Sequence, residues 1–158
     1  MDCIYGCRRW RVGDILIKMK MQYEKGNVIV KYNLVFKDTY TSDPKGKRPV
    51  MIAIATSKDN QYMYFLSLTS QVQKYVDNKN RKVIAENFYI KNTPENKLYK
   101  ESLINIKNIY KEKIGTKMPV ASIEPIEYDK LIEKFVNYQR INPDEYFDEI
   151  KENFINIK

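Results

Sequence analysis

The chain is predicted to adopt an α+β fold: a strongly curved antiparallel sheet of five or six strands, with packing helices, two of them at the C-terminal end. Three observations carry this. Residues 50–55 and 62–68 are apolar runs of strand length around a polar turn at 57–61, short enough for an antiparallel hairpin. Apolar and polar residues alternate at Ile15, Ile17, Met19 and Met21, the period of a half-buried strand. From Pro125 onward the period becomes helical, with Leu131, Ile132, Phe135 and Val136 on one face. With 158 residues the chain is read as one domain, 1–158, long enough to bury a core.

Taken in order, the first strand spans residues 10–21 and is entered through the turn at Gly13-Asp14. Lys25-Gly26-Asn27 is a turn, and residues 28–36 (VIVKYNLVF) form the returning strand. Residues 37–47 are a polar loop broken by Asp43-Pro44 and Gly46. The central hairpin follows. After Ser70 the polar segment 71–82 starts as a helical turn, and 83–90 (VIAENFYI) reads as another strand. Residues 91–97 are a loop, 103–106 a short buried strand, and 118–123 a further apolar patch. The first long helix begins at Pro125. Asn142 then reads as the cap of a second, with Pro143 at its first position, Asp144 and Glu145 in its first turn, and Tyr146, Phe147, Ile150 and Phe154 as its buried stripe.

Composition narrows the function. Lys and Arg number 28 against 20 Asp and Glu, a formal charge of +8, which suits a polyanionic partner. Thirteen tyrosines, six phenylalanines and one tryptophan are mixed among those cations. Charges that track phosphates and rings that stack on bases suit single-stranded nucleic acid; the ordinary alternative is a Lys/Tyr-rich composition inherited from an AT-rich genome. No apolar run approaches the roughly 18 residues needed to span a bilayer, and the N-terminus lacks the apolar core of a signal peptide, so no membrane association and a cytoplasmic location are expected. Cys3 and Cys7 are the only cysteines and histidine is absent. Two thiols do not make a four-ligand zinc site, so no metal and no cofactor are expected. The lack of histidine removes every catalytic dyad or triad built on imidazole.

The hairpin brings its two ends together. Thr69 and Ser70 at its exit are expected near Lys47 and Arg48 at its start, so that two cations and two hydroxyls share one rim as a phosphate pocket. Tyr40, Lys45, Gln71 and Lys74 flank that rim as candidate RNA contacts. The alternatives are a solvated basic turn for Lys47 and Arg48 and a helix cap for Thr69 and Ser70. A cap and an anion site are compatible, because a helix N-terminus attracts anions.

Several motifs in register resemble one family. They are Gly13-Asp14, Lys47-Arg48-Pro49-Val50, Leu68-Thr69-Ser70 closing a strand, Pro94-Glu95-Asn96 followed by Lys97-Leu98, Leu103-Ile104-Asn105-Ile106-Lys107, and Tyr128-Asp129-Lys130 opening the helical tail. In this order, over roughly residues 10–155, they resemble the RNase toxins of type III toxin–antitoxin systems, the ToxN, CptN and AbiQ group, with Gly13-Asp14 and Lys47-Arg48-Pro49-Val50 similar to the Gly-Asp and Arg-Pro of the wider MazF group. The core of that group is similar to the small SH3-like barrel of MazF, PemK and Kid. The N-terminal hairpin is longer than in ToxN, and Gln71 stands where the group commonly has proline.

The resemblance implies a metal-independent endoribonuclease that cuts single-stranded RNA to leave 2′,3′-cyclic phosphate and 5′-hydroxyl ends. It implies a small, folded, repeat-derived antitoxin RNA that the toxin processes and stays bound to in a cyclic assembly. It also implies a role in phage abortive infection or plasmid maintenance. In such a reaction Arg48 is the first candidate to hold the phosphate oxygens, because its planar fork grips two at once, with Lys47 as the alternative. Thr69 and Ser70 would donate to the same phosphate or relay a proton. The general base is unassigned. A MazF-type toxin with a protein antitoxin and a non-catalytic RNA-binding barrel are the competing readings.

Overall fold

The hairpin that organises the sequence also organises the fold. The computed structural model describes residues 22–31, 37, 50–70, 72 and 84–152. Within them, β2 (Val50–Thr56) and β3 (Tyr62–Thr69) pair antiparallel, with Val50 opposite Leu68 and Thr56 opposite Met63. Both strands are buried on both faces, as their near-continuous apolar runs require. The register slips between Ala53 and Ala55, a bulge that adds local twist.

The turn is held by its own side chains. Ser57 Oγ accepts hydrogen bonds from the amides of Gln61 (3.2 Å) and Tyr62 (3.0 Å), and donates to Asp59 Oδ1 at 2.6 Å. Asn60 takes a left-handed conformation (φ 57°), which asparagine tolerates. These bonds, the one from Ser57 first, hold the Asp59 carboxyl below its usual range.

Five more strands extend the sheet: β1 (Asn27–Val30), β4 (Asn87–Ile90), β5 (Ser102–Asn105), β6 (Tyr110–Lys113) and β7 (Ala121–Ser122). The order across the sheet is β4-β5-β3-β2-β1-β7, and β6 shares the β5 edge of β3. The sheet is strongly curled into a half-barrel six strands wide. The loop after β4 returns towards the far edge, where Ser122 N donates to Asn96 O at 3.0 Å. The turn before β1 needs its glycine: Gly26 has φ +81°, and a Cβ there would lie 2.7 Å from Ile123 O.

β5 and β6 are one strand interrupted by a bulge. From Phe65 to Leu68 is three steps on β3, while their partners Tyr110 and Ile104 are six apart, so three extra residues loop out. Asn105 Oδ1 accepts from the amides of Lys107 and Asn108, turning the chain, and Ile106 N donates to Glu86 O. Gln139, fully buried, fastens the bulge from the other side: its Nε2 donates to Ile106 O (2.7 Å) and Lys107 O (3.0 Å), and its Oε1 accepts from Asp144 N (2.7 Å).

Gln139 lies on α1 (Pro125–Ile141), which begins with Pro125 in its first turn, where the missing N–H is harmless. Its buried residues, Tyr128, Leu131, Phe135 and Gln139, recur at spacings of three and four. Leu131 and Phe135 are fully buried, as the helical pattern predicts. Tyr128 Oη donates to Ile54 O at 3.3 Å, tying the helix to β2. The helix stops before Pro143, which disfavours helical geometry in Asn142.

Two expectations are corrected, and two further segments take a form that no expectation covered. The second helix, α2 (Phe147–Ile150), does not start at Asn142–Pro143 but at Phe147, and is one turn long. The Asp144 carboxylate is used elsewhere, accepting from Ile109 N and Tyr146 N. The strand expected over 83–90 is confined to β4, since Ile84 and Ala85 are helical. Residues 110–113, not predicted as a strand, form β6. The expected patch at 118–123 is not uniformly buried: Met118 and Val120 are exposed, and only Ala121 and Ile123 enter the core. The predicted strand 10–21, residues 32–36, the segment 73–82, Cys3, Cys7 and Phe154 lie outside the described residues.

Candidate functional site

Tracing the registers places several chain segments at one end of the sheet. Thr69 closes β3 opposite Leu103, and exposed Ser70 follows it. Leu103 stands one residue into β5, so the β4–β5 loop, 91–101, projects from the same end. Val50, opposite Leu68, begins β2 there. Thr69 is half-buried and Ser70 exposed, so a hydroxyl-bearing rim is present. Lys47, Arg48, Tyr40, Lys45, Gln71 and Lys74 lie outside the described residues.

The β4–β5 loop is stiff because of Asn96. That side chain is buried, its Oδ1 accepting from the amides of Thr93 (3.0 Å) and Leu98 (2.9 Å) and its Nδ2 donating to Lys91 O (2.9 Å). Thr93 Oγ1 accepts in return from Asn96 N, and Lys97 takes a left-handed φ of 60°. The Pro94-Glu95-Asn96 motif is thus a turn-forming device here, presenting exposed Lys91, Lys97, Tyr99 and Lys100.

A second cluster, which the sequence reading missed, sits at the opposite end of β3. Tyr64 Oη donates to Glu149 Oε1 at 2.6 Å, and Lys111 Nζ meets the same oxygen at 2.8 Å. Lys111 Nζ also lies 4.9 Å from the centre of the Tyr62 ring and 5.7 Å from that of Tyr146, within cation–π range. Lys37 repeats the arrangement: its Nζ donates to Ile109 O (2.7 Å), pairs with Asp144 (3.4 Å) and lies 4.7 Å from the Tyr146 ring centre. Five residue steps of strand run from Tyr64 to Thr69, roughly 17 Å, so this cluster and the Ser70 rim are distinct places.

Both lysines of that cluster are charge-paired, and its geometry fastens α2 to the sheet. Tyr64 is almost fully buried; burial first, and then its bond to Glu149, push its hydroxyl up to about 12. It therefore stays protonated at neutral pH and donates; it is no general base. The bond from Lys111 first, then that from Tyr64, holds the Glu149 carboxyl below the usual carboxylate range, and the bond to Glu149 holds Lys111 above the usual lysine range. The sign follows. The depressed carboxyl contributes stability above the ordinary carboxylate pKa, lost as pH falls through the folded value. The raised lysine contributes below the ordinary lysine pKa, lost as pH rises through the folded value. Lys111 is 26% and Glu149 43% exposed, so solvent screens the pair and its contribution is under about 1 kcal/mol. Urea melts at pH 7 and pH 3 in low salt are expected to show a smaller acid loss for Glu149→Gln than for the unsubstituted protein; equal losses would assign the clamp no role.

No signal in the sequence joins these groups, since Tyr64 and Glu149 are 85 residues apart. Among the described residues no three or more carboxylates or thiols converge as a metal site, and no helix is long and apolar enough to cross a membrane. No protein-family profile and no curated protein matches the chain.

Proposed function

We propose that the protein is an endoribonuclease that cuts single-stranded RNA, the toxin of a type III toxin–antitoxin system held in check by a small folded antitoxin RNA. The observation that carries this is the hairpin register. Because Val50 pairs with Leu68, the chain entering β2 and the chain leaving β3 emerge at one end, with about 5 Å between paired Cα atoms. Arg48 precedes Val50 by two residues, at most about 7 Å of chain, and Ser70 follows Leu68 by two. The net charge of +8 and the motif resemblance point the same way.

The reaction needs little from the protein beyond position and charge. The ribose 2′-oxygen bonds to the adjacent phosphorus and gives up its proton, the bond to the 5′-oxygen breaks, and that oxygen takes a proton, leaving a 2′,3′-cyclic phosphate. Arg48, with Lys47 as the alternative cation, would neutralise the phosphorane oxygens. Thr69 and Ser70 would donate to them or pass a proton to the leaving oxygen. Tyr40, Lys45, Gln71 and Lys74 would hold flanking RNA. The cellular role would be abortive infection or plasmid maintenance, in the cytoplasm.

The test is incubation of the purified, refolded protein with single-stranded RNA and excess EDTA, followed by analysis of the fragment ends. Cyclic-phosphate ends are the expected result. Intact RNA after refolding, with salt-sensitive binding retained, would replace the enzyme with a passive RNA-binding barrel. Cleavage that a small acidic protein blocks, and a folded RNA does not, would favour the MazF-type reading.

A further inference from the structure

Residues directly opposite across neighbouring strands point to the same face of a sheet. Thr69 is opposite Leu103, and Leu103 is opposite Tyr89, so Thr69 and Tyr89 lie in one cross-strand row on one face. Two strand spacings separate them, about 10 Å. Leu103 between them is buried, whereas Tyr89 is 47% exposed on β4, the end strand of the sheet order. Its ring is held in place: Tyr89 Oη donates to Glu101 Oε1 at 2.6 Å. Just beyond it, on the loop stiffened by Asn96, Tyr99 is 90% exposed with Lys100 Nζ 5.6 Å from its ring centre. Lys91, Lys97 and Lys100 outnumber Glu95 and Glu101 on this loop, and Glu101 is engaged by Tyr89.

We infer that Tyr89 is a base-stacking residue for the RNA strand, taking the nucleobase beside the phosphate bound at the Thr69–Ser70 rim, with the 91–101 loop carrying the strand onward. This rests on the proposed RNA-cutting function and names where the substrate runs. A pre-oriented aromatic face costs a binding base little ordering, accepts any base, and is flanked here by cations suited to the phosphates. An edge strand with a solvent-facing ring beside lysines supplies what a single-stranded segment recognises: a π surface and positive charge.

The experiment is fluorescence anisotropy with a labelled, 2′-O-methyl single-stranded oligoribonucleotide, which cannot be cut, on the full chain and on Tyr89→Ala and Tyr89→Phe. Alanine is expected to weaken binding by about 5- to 100-fold, with phenylalanine within about twofold of the unsubstituted protein and the salt slope unchanged. The side chain is exposed, so both variants are expected to melt like the parent. If Tyr89→Ala binds as tightly as the parent while the parent still cuts RNA, the stacking role is wrong and the proposed function stands. A phenylalanine variant as weak as alanine would assign the effect to the hydroxyl and also overturn stacking. A parent that neither binds the oligonucleotide nor cuts RNA would remove both.

Discussion

Arg48→Ala is expected to lower the rate of RNA cleavage by at least about 100-fold, with little change in the melting temperature. The phosphorane carries more negative charge than the phosphodiester from which it forms, so a fixed guanidinium stabilises the transition state more than the bound substrate. Its loss should therefore appear in kcat more than in KM. Ser70→Ala removes another group assigned to the phosphate in the proposed reaction and is expected to fall in the same direction. Ser70 is exposed and follows the last residue of β3, so its hydroxyl is not a core element. Both variants should lose toxicity in cells at equal expression. Cells killed as fast as by the parent would mean that the assigned rim is not the active site. Lys47→Ala made alongside decides which of the two cations matters.

Gln139→Met is expected to destabilise the fold by about 3 kcal/mol, a large share of a typical domain's total of about 5–15 kcal/mol. Methionine nearly conserves volume, so the change isolates hydrogen bonding from packing. It withdraws both donors from the carbonyls of Ile106 and Lys107 and the acceptor from Asp144 N, at a site with no solvent exposure. Each buried group that loses its partner costs about 1–3 kcal/mol. Gln139→Glu should be no better, because an ionised carboxylate cannot donate to two carbonyls and buries a charge. Urea unfolding measures the loss, and hydrogen exchange should show faster opening of 105–113 than of the β2–β3 hairpin. A loss under about 1 kcal/mol would mean that the bulge holds itself.

The parts of the fold that were legible in the sequence are those stabilised by near neighbours. The β2–β3 hairpin was readable because two apolar runs flank Ser57 and Asp59, whose side chains bond within the turn, and Asn60, whose backbone takes its left-handed step. The helix beginning at Pro125 was readable because its period and its proline are local. β6 was not, because YKEK carries no strand pattern; it is a strand through pairing with Tyr62, Met63, Tyr64 and Phe65. The late start of α2 was hidden for the same reason. Asn142-Pro143-Asp144 looks like a helix start, but Asp144 serves Ile109 and Lys37, and those partners are brought to it only by folding.

The candidate site divides the same way. Thr69 and Ser70 at a strand exit, one and two residues past the partner of Val50, follow from hairpin geometry and could be named from the sequence alone. The row that joins Thr69 to Tyr89 through Leu103, and the clamp of Tyr64, Lys111 and Glu149, are set by strand order and register. By itself the sequence determined the α+β class, the central hairpin, the long helix and the excess of positive charge, since hydrophobic periodicity and turn chemistry act over a few residues. Only the tertiary structure decided which distant side chains meet. A curled sheet brings together residues tens of positions apart, and no local pattern encodes that closure.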